Sequence, residues 1–215
     1  MTRPGLAVLA LALTAAGVDA QDARLTRLDK QVQGEVGALV DSARLLGIPT
    51  EPVVDKALEG AAKRAPSKRI VNVVRSRFHE LVAGRSALGN VASEAEIIAA
   101  ADALHAGASP DVISTLRAQR PSAPLTIPLA VLADLIARGV PADTAASAVL
   151  ALANKTATDA QFAALRDDIE RDIAKGTPSA ISAAVRTRGL PPGVPIPRAA
   201  DAARPGEVTN APRSP

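Results

Sequence analysis

The sequence contains no cysteine among its 215 residues. Disulfide bonds, thiolate nucleophiles and cysteine-based zinc or iron–sulfur sites are therefore excluded. A fold built from this chain must be held together by packing and hydrogen bonding.

Aromatic residues are nearly absent as well, since there is no tryptophan or tyrosine and only two phenylalanines, Phe78 and Phe162. Windows rich in valine, isoleucine, threonine and aromatics, which are typical of β-strands, do not occur. Alanine, the best intrinsic helix former, occurs 47 times. The composition predicts an all-α protein with a core of alanine and aliphatic side chains.

Motifs of known chemistry are also missing. The chain has no glycine-rich phosphate loop, dinucleotide fingerprint, calcium loop or Gly-x-Ser-x-Gly elbow. His79 and His105 are the only histidines, and neither has a second metal ligand at helical spacing. We predict no cofactor, no metal and no catalytic residue, and we interpret both histidines as surface or helix-capping residues.

What the sequence does contain is a repeated joint. In each joint, a glycine follows an apolar-periodic run, and many helices end with a glycine in the left-handed conformation at this position. A proline follows two or three residues later, where the next helix begins. In the first three copies an acidic residue falls in the first turn, near the positive end of the helix dipole. Arg64 takes the glycine position in a variant before Ala65 and Pro66. The joints are Gly47-Ile48-Pro49-Thr50-Glu51, Gly107-Ala108-Ser109-Pro110-Asp111, Gly139-Val140-Pro141-Ala142-Asp143 and the weaker Gly176-Thr177-Pro178-Ser179.

Apolar residues recur at helical spacing between the joints, and they include Leu46 and Val73, which we expect to face the core. Capping boxes begin at Ser93 and Thr158. Successive helix starts are mostly about 16 or 17 residues apart, so a pair takes about 33 residues. We predict eight to nine short helices in antiparallel helix-hairpin pairs, either stacked as a solenoid or packed as an irregular bundle. The expected helices are about 31–46, 51–63, 67–86, 93–106, 109–118, 127–138, 142–153, 158–175 and 178–188.

The chain divides into four parts. Residues 1–20 resemble a secretory signal peptide, because an apolar run precedes Val18 and Ala20 at the two positions that signal peptidase reads. Cleavage before Gln21 would leave a periplasmic or extracellular protein without a transmembrane segment. A flexible leader (21–30), an all-helical domain (31–190) and a disordered tail with seven prolines (191–215) are expected to follow.

The most distinctive charge feature is a basic segment, residues 63–85, which carries seven cations against Glu80 alone. Such a helix could meet an anionic envelope polymer, an anionic lipid surface or an acidic protein. A plain solvated helix face is the alternative interpretation. The candidate contact residues are Lys63, Arg64, Lys68, Arg69, Arg75, Arg77 and Arg85.

An acidic group lies farther along the chain. Four carboxylates could in principle hold a divalent cation, but interleaved cations favour a solvated, partly self-paired helix face. These carboxylates belong to Asp167, Asp168, Glu170 and Asp172.

Repeated helix pairs without a catalytic constellation favour an exported, non-enzymatic interaction or scaffold protein. Its partner is expected to be a protein or an anionic envelope polymer that contacts the basic segment. Nucleic acid is not expected, because no aromatic residues are interleaved for base stacking and the chain is predicted to be exported. A carboxylate-dependent envelope-glycan hydrolase and a peripheral membrane-binding protein are the alternatives.

Overall fold

The computed structural model describes residues 23–154 and 157–188. Over these ranges the chain forms a short 3₁₀-helix, Ala23–Arg27, followed by nine α-helices, and it contains no β-strand. The predicted all-α class is confirmed. The α-helices are α1 (Lys30–Leu45), α2 (Glu51–Ala62), α3 (Ser67–Leu88), α4 (Glu94–Ala106), α5 (Pro110–Gln119), α6 (Thr126–Ala137), α7 (Ala142–Ala153), α8 (Asp159–Ala174) and α9 (Ser179–Thr187).

The predicted joints are present, and each reverses the chain through the same hydrogen-bonded turn. The glycine has a positive φ, and the residue after it donates its backbone N–H to the carbonyl oxygen five residues earlier. Ile48, for example, donates to Ala43 at 2.9 Å. The glycines are Gly47 (φ 63°), Gly107 (φ 116°), Gly139 (φ 84°) and Gly176 (φ 89°).

Arg64 takes the same position between α2 and α3. Its φ is 53°, which makes it the one non-glycine residue with a positive φ in the part of the chain that the structure describes. Ala65 then donates its N–H to the carbonyl oxygen of Gly60 at 3.0 Å. A side chain in this conformation costs about 1–2 kcal/mol, so the turn is kept despite the strain.

The helices pack in an alternating pattern around one continuous core. Each odd-numbered helix from α1 to α7 contacts the next odd-numbered one, and among the even-numbered helices α4 contacts α6 and α6 contacts α8. The α4–α6 contact is the most extensive of those described. Among the described helices, the even-numbered series lacks one contact: α2 packs against α1 and α3, but it does not pack closely against α4.

Three expectations about burial are wrong. Leu25 and Leu28 are buried, so the packed part begins at Ala23 and includes most of the segment predicted to be a flexible leader. Leu46 and Val73 were expected to face the core, yet they are 52% and 43% exposed. Leu46 follows the last turn of α1, and Val73 lies where α2 and α4 are apart.

Several predictions concern residues outside the described ranges, namely 1–22, 155–156 and 189–215. They include the signal peptide, the start of the leader, the last two residues of the helical domain and the proline-rich tail. In the described ranges, no helix combines the length and the apolar character needed to cross a lipid bilayer.

Candidate binding groove between α2 and α4

The interruption in helix packing leaves a groove of about 760 Å³. Its two walls are α2 and α4, and its floor is the middle of α3. We call it the α2–α4 groove. It is lined by Glu51, Pro52, Asp55, Lys56 and Glu59 of α2, by Val73, Ser76, Arg77 and Glu80 of α3, and by Ile98, Asp102 and His105 of α4.

The sequence of α2 explains why its groove side is polar. Glu51, Asp55 and Glu59 recur every four residues, so they share one helix face, while Val53, Val54 and Ala57 are buried on the other. A face of three carboxylates cannot pack closely against α4 without losing hydration. Most of the buried side chains of α4 are alanines, which allow close contact with α3 and α6.

Arg77 is the central charge of the groove floor. Its guanidinium lies 2.8 Å from Asp102 of α4 and 3.6 Å from Glu80 of α3. Glu80 in turn contacts Nδ1 of His105 at 2.9 Å. The Arg77 side chain is only 12% exposed, whereas those of Asp102 and His105 are 53% and 73% exposed. The cluster therefore ties the floor of the groove to its α4 wall.

The α2 wall has its own ion pairs. Lys56 and Lys63 both donate to Glu59 and lower the pKa of its carboxyl to about 2. From the N-terminal 3₁₀-helix, Arg24 donates to both carboxylate oxygens of Glu51 at 2.7 Å and lies 3.7 Å from Asp55. These contacts hold the carboxylates of the wall in a defined row.

The seven predicted contact residues differ in their partners within the protein. Arg77 belongs to the groove, and three others are engaged within the protein: Lys63 with Glu59, Arg75 with Glu35 of α1, and Arg85 with the carbonyl oxygen of Gly89. The remaining three are exposed and form no ion pair with any described residue. We call them the basic cluster, Arg64, Lys68 and Arg69.

The predicted acidic group is a partly self-paired helix face, because Arg166 pairs with Asp167 and Glu170 and Arg171 pairs with Asp168. One member, Asp172, is instead buried. Arg186 of α9 holds Asp172 by two hydrogen bonds of 2.8 and 2.9 Å and lowers the pKa of its carboxyl, and the Asp172 side chain is 9% exposed. Arg186 also contacts Asp168. Asp172 and Asp168 therefore anchor α9 on α8. The described residues include no cluster of acidic or histidine side chains arranged to hold a metal ion.

Sequence reasoning missed the groove because its lining comes from three helices. One signal was available, the four-residue spacing of Glu51, Asp55 and Glu59. The carboxylates of Glu80 and Asp102 converge inside the groove, but both contact the guanidinium of Arg77. The arrangement offers apolar contact at the floor and charged contacts at both walls, which is suited to binding.

No protein-family model matches the sequence, and no curated protein or solved structure matches it either. A functional proposal must therefore rest on the residues and their geometry.

Proposed function

We propose that this chain is an exported, non-enzymatic helical binding protein that takes a helical segment of a partner protein in the α2–α4 groove. The observation that carries the proposal is the single break in an otherwise closed packing pattern. Along the same side of the fold α4 contacts α6 and α6 contacts α8, whereas α2 and α4 stand apart over α3. Export is proposed from the signal-peptide pattern of residues 1–20.

The shape and lining of the groove favour a helical ligand. Recognition of an amphipathic helix by a groove requires an apolar floor for its anchors and polar walls for its flanks. Val73 and Ile98 supply the apolar surface, and charged side chains of α2 and α4 supply the walls. Val73 is 43% exposed in the free protein, so a ligand would cover it.

Site-specific photocrosslinking in the native host tests this proposal. A photoreactive amino acid at Ser76, on the groove floor, is expected to give one discrete adduct with a partner protein. The matched control is Ser114, an exposed serine in the middle of α5 that lies outside the groove. An adduct at Ser76 that is lost in the Val73→Arg variant supports the proposal. Equal adducts at both positions, or none at Ser76, contradict it.

A second candidate function rests on the basic cluster. Arg64, Lys68 and Arg69 are exposed, lie close together in sequence and form no ion pair with a described residue. They are available to an anionic lipid surface or envelope polymer. Co-sedimentation with vesicles containing anionic lipid is then expected to fall when all three become glutamine. It should persist in the control variant Lys30→Gln/Lys175→Gln/Arg188→Gln.

The envelope-glycan hydrolase stays an untested alternative. Its best candidate pair is Glu80 and Asp102, the carboxylates that approach one another on Arg77. Hydrolysis of envelope glycan by the purified protein that is lost in Glu80→Gln would favour this alternative over the binding proposal.

A further inference from the structure

We propose that the segment bound in the α2–α4 groove is a cationic amphipathic helix, with an apolar ridge flanked on both sides by lysine or arginine. The inference rests on the proposed function and adds the chemistry of the partner. The observation behind it is which charged side chains are exposed at the rim of the groove and which lie deeper, in addition to the net charge of the groove.

Three of the five lining carboxylates lie at the exposed rim of the groove, whereas Glu80, whose side chain is 17% exposed, lies on the floor. The side chains of Glu51 and Asp55 on the α2 rim are 61% and 62% exposed, and Asp102 on the α4 rim is 53% exposed. Three cations that pair with lining carboxylates are less exposed: Arg77 at 12%, Lys56 at 37% and Arg24 at 38%. Lys63, which pairs with Glu59 from outside the lining, is 71% exposed. At the two rims, an approaching ligand therefore meets Glu51, Asp55 and Asp102 before it meets Arg77.

The protein's own cations offset part of this charge. Among the lining residues there are five carboxylates against Lys56 and Arg77, and Arg24 and Lys63 pair with three of these carboxylates from outside the groove. The remaining excess of negative charge is small, so the exposed position of the rim carboxylates matters more than the net charge. A lysine or arginine on the flank of the ligand can pair with a rim carboxylate without entering the floor of the groove, so its charged group stays hydrated.

The two rims face each other across an apolar strip. On α2, Glu51 and Asp55 lie one helical turn apart, about 6 Å along the axis, and Asp102 stands on the opposite rim. Val73, Ile98 and Pro52 lie among these charges. A row of carboxylates on one rim and a single carboxylate on the other, with an apolar strip between them, complement a helix that has an apolar ridge and a basic flank on each side.

Two model peptides test this inference. Each has about 16 residues, enough for a helix of about 24 Å, with one leucine ridge flanked either by lysine or by glutamate. Binding is measured by fluorescence anisotropy at low and moderate salt. The lysine-flanked peptide is expected to bind more tightly than the glutamate-flanked one and to weaken as salt increases.

Matched variants locate the effect. Asp55→Asn/Asp102→Asn removes two rim carboxylates and should weaken the lysine-flanked peptide about ten-fold. The control Asp41→Asn/Asp167→Asn makes the same change in net charge at side chains that are 51% and 52% exposed, and it should leave affinity unchanged. Ser76→Trp fills the floor and should abolish binding. Thermal unfolding of each variant confirms that it is folded.

Other outcomes overturn the inference. Equal binding of the two peptides, no binding of either, or equal weakening by both double variants would show that the rim carboxylates do not select a cationic helix. Concentration-dependent self-association that is lost in Ser76→Trp would make a second copy of this chain the occupant. If a Ser76 adduct forms in the host while the lysine-flanked peptide fails, only the chemistry is wrong. If both fail, the proposed function fails with it.

Discussion

Among individual residues, Glu96 is the best connected of the buried carboxylates. One oxygen accepts the backbone N–H of Ser93 at 2.9 Å, which completes the capping box of α4. The other accepts Arg117 of α5 at 2.6 Å and the backbone N–H of Leu125, just before α6, at 2.9 Å. One side chain therefore joins the starts of two helices and the end of a third.

The Glu96→Gln variant is expected to lower the free energy of unfolding by about 2 kcal/mol. Glutamine has only one side-chain oxygen to accept these hydrogen bonds. Its NH₂ group would take the place of the other carboxylate oxygen and would face N–H donors without accepting a hydrogen bond from them. The control is Glu94→Gln, an exposed residue of the same helix, which should change stability by less than about 0.5 kcal/mol. Urea unfolding at pH 7 measures both variants, and equal effects would contradict the role of Glu96.

The contribution of Glu96 should also depend on pH. Burial opposes ionisation of its carboxyl, but hydrogen bonds from Ser93, Leu125 and Arg117 outweigh burial, and the net effect is a lowered pKa. The unfolded chain, with a glutamate pKa of about 4.3, therefore binds more protons than the folded one. The stability is present above that pH and is lost as pH falls through the folded pKa. The difference between wild type and Glu96→Gln should shrink from pH 7 to pH 3.

At the scale of the helices, α3 and α4 pack closely against each other, whereas α2 and α4 do not. α3 and α4 approach so closely at Gly84 that a Cβ there would lie 3.0 Å from the Cβ of Ala100 and 3.3 Å from the carbonyl oxygen of Ile97. Between α2 and α4, by contrast, the carboxylates of α2 line the groove, and the two helices do not pack closely. Small residues allow close packing of α3 and α4, whereas charged residues line the open groove between α2 and α4.

The Gly84→Leu variant is expected to destabilise the protein by about 2–3 kcal/mol, because the added side chain meets helix backbone that cannot move freely. Gly34→Leu is the matched control. It lies within α1, and a Cβ at this position has no neighbouring atom within 4 Å. Replacing glycine in an exposed helix interior should raise stability by about 0.5 kcal/mol. Thermal denaturation followed by circular dichroism compares them, and destabilisation of similar size in both would refute the close-contact argument.

At the scale of the whole molecule, the joints are short, so most helices pack against helices that are close to them in sequence. Most helix contacts link elements one or two positions apart, so the chain can stack as it is extended. The one open interval, between α2 and α4, lies in the N-terminal half.

Export is tested by the N-terminus of the mature protein. Intact mass spectrometry of protein from the host envelope or medium is expected to show a chain that begins at Gln21. Ala20→Arg should block cleavage, because signal peptidase requires a small residue there, whereas Asp19→Asn, between the two positions that are read, should be cleaved normally. A full-length chain in wild type, retained in the cytoplasm, would contradict the proposal.

The sequence by itself determined the order, type and approximate bounds of the helices. Gly107 and Gly139 end helices in a left-handed conformation, and Arg64 does the same where glycine is absent. Ser93 and Glu96 mark a helix start through a capping box. These signals are local, because a cap or a turn is satisfied by atoms a few residues away.

Only the tertiary structure decided what each helix face meets. Helical periodicity places Val73 on an apolar side but does not say which helix covers it, and no helix does. Arg77 belongs to a basic segment in the sequence, yet it pairs with Asp102, which is 25 residues away and on another helix. The groove exists because charged α2 and alanine-rich α4 share α3 as a neighbour without sharing an interface, and that depends on contacts between residues distant in the chain.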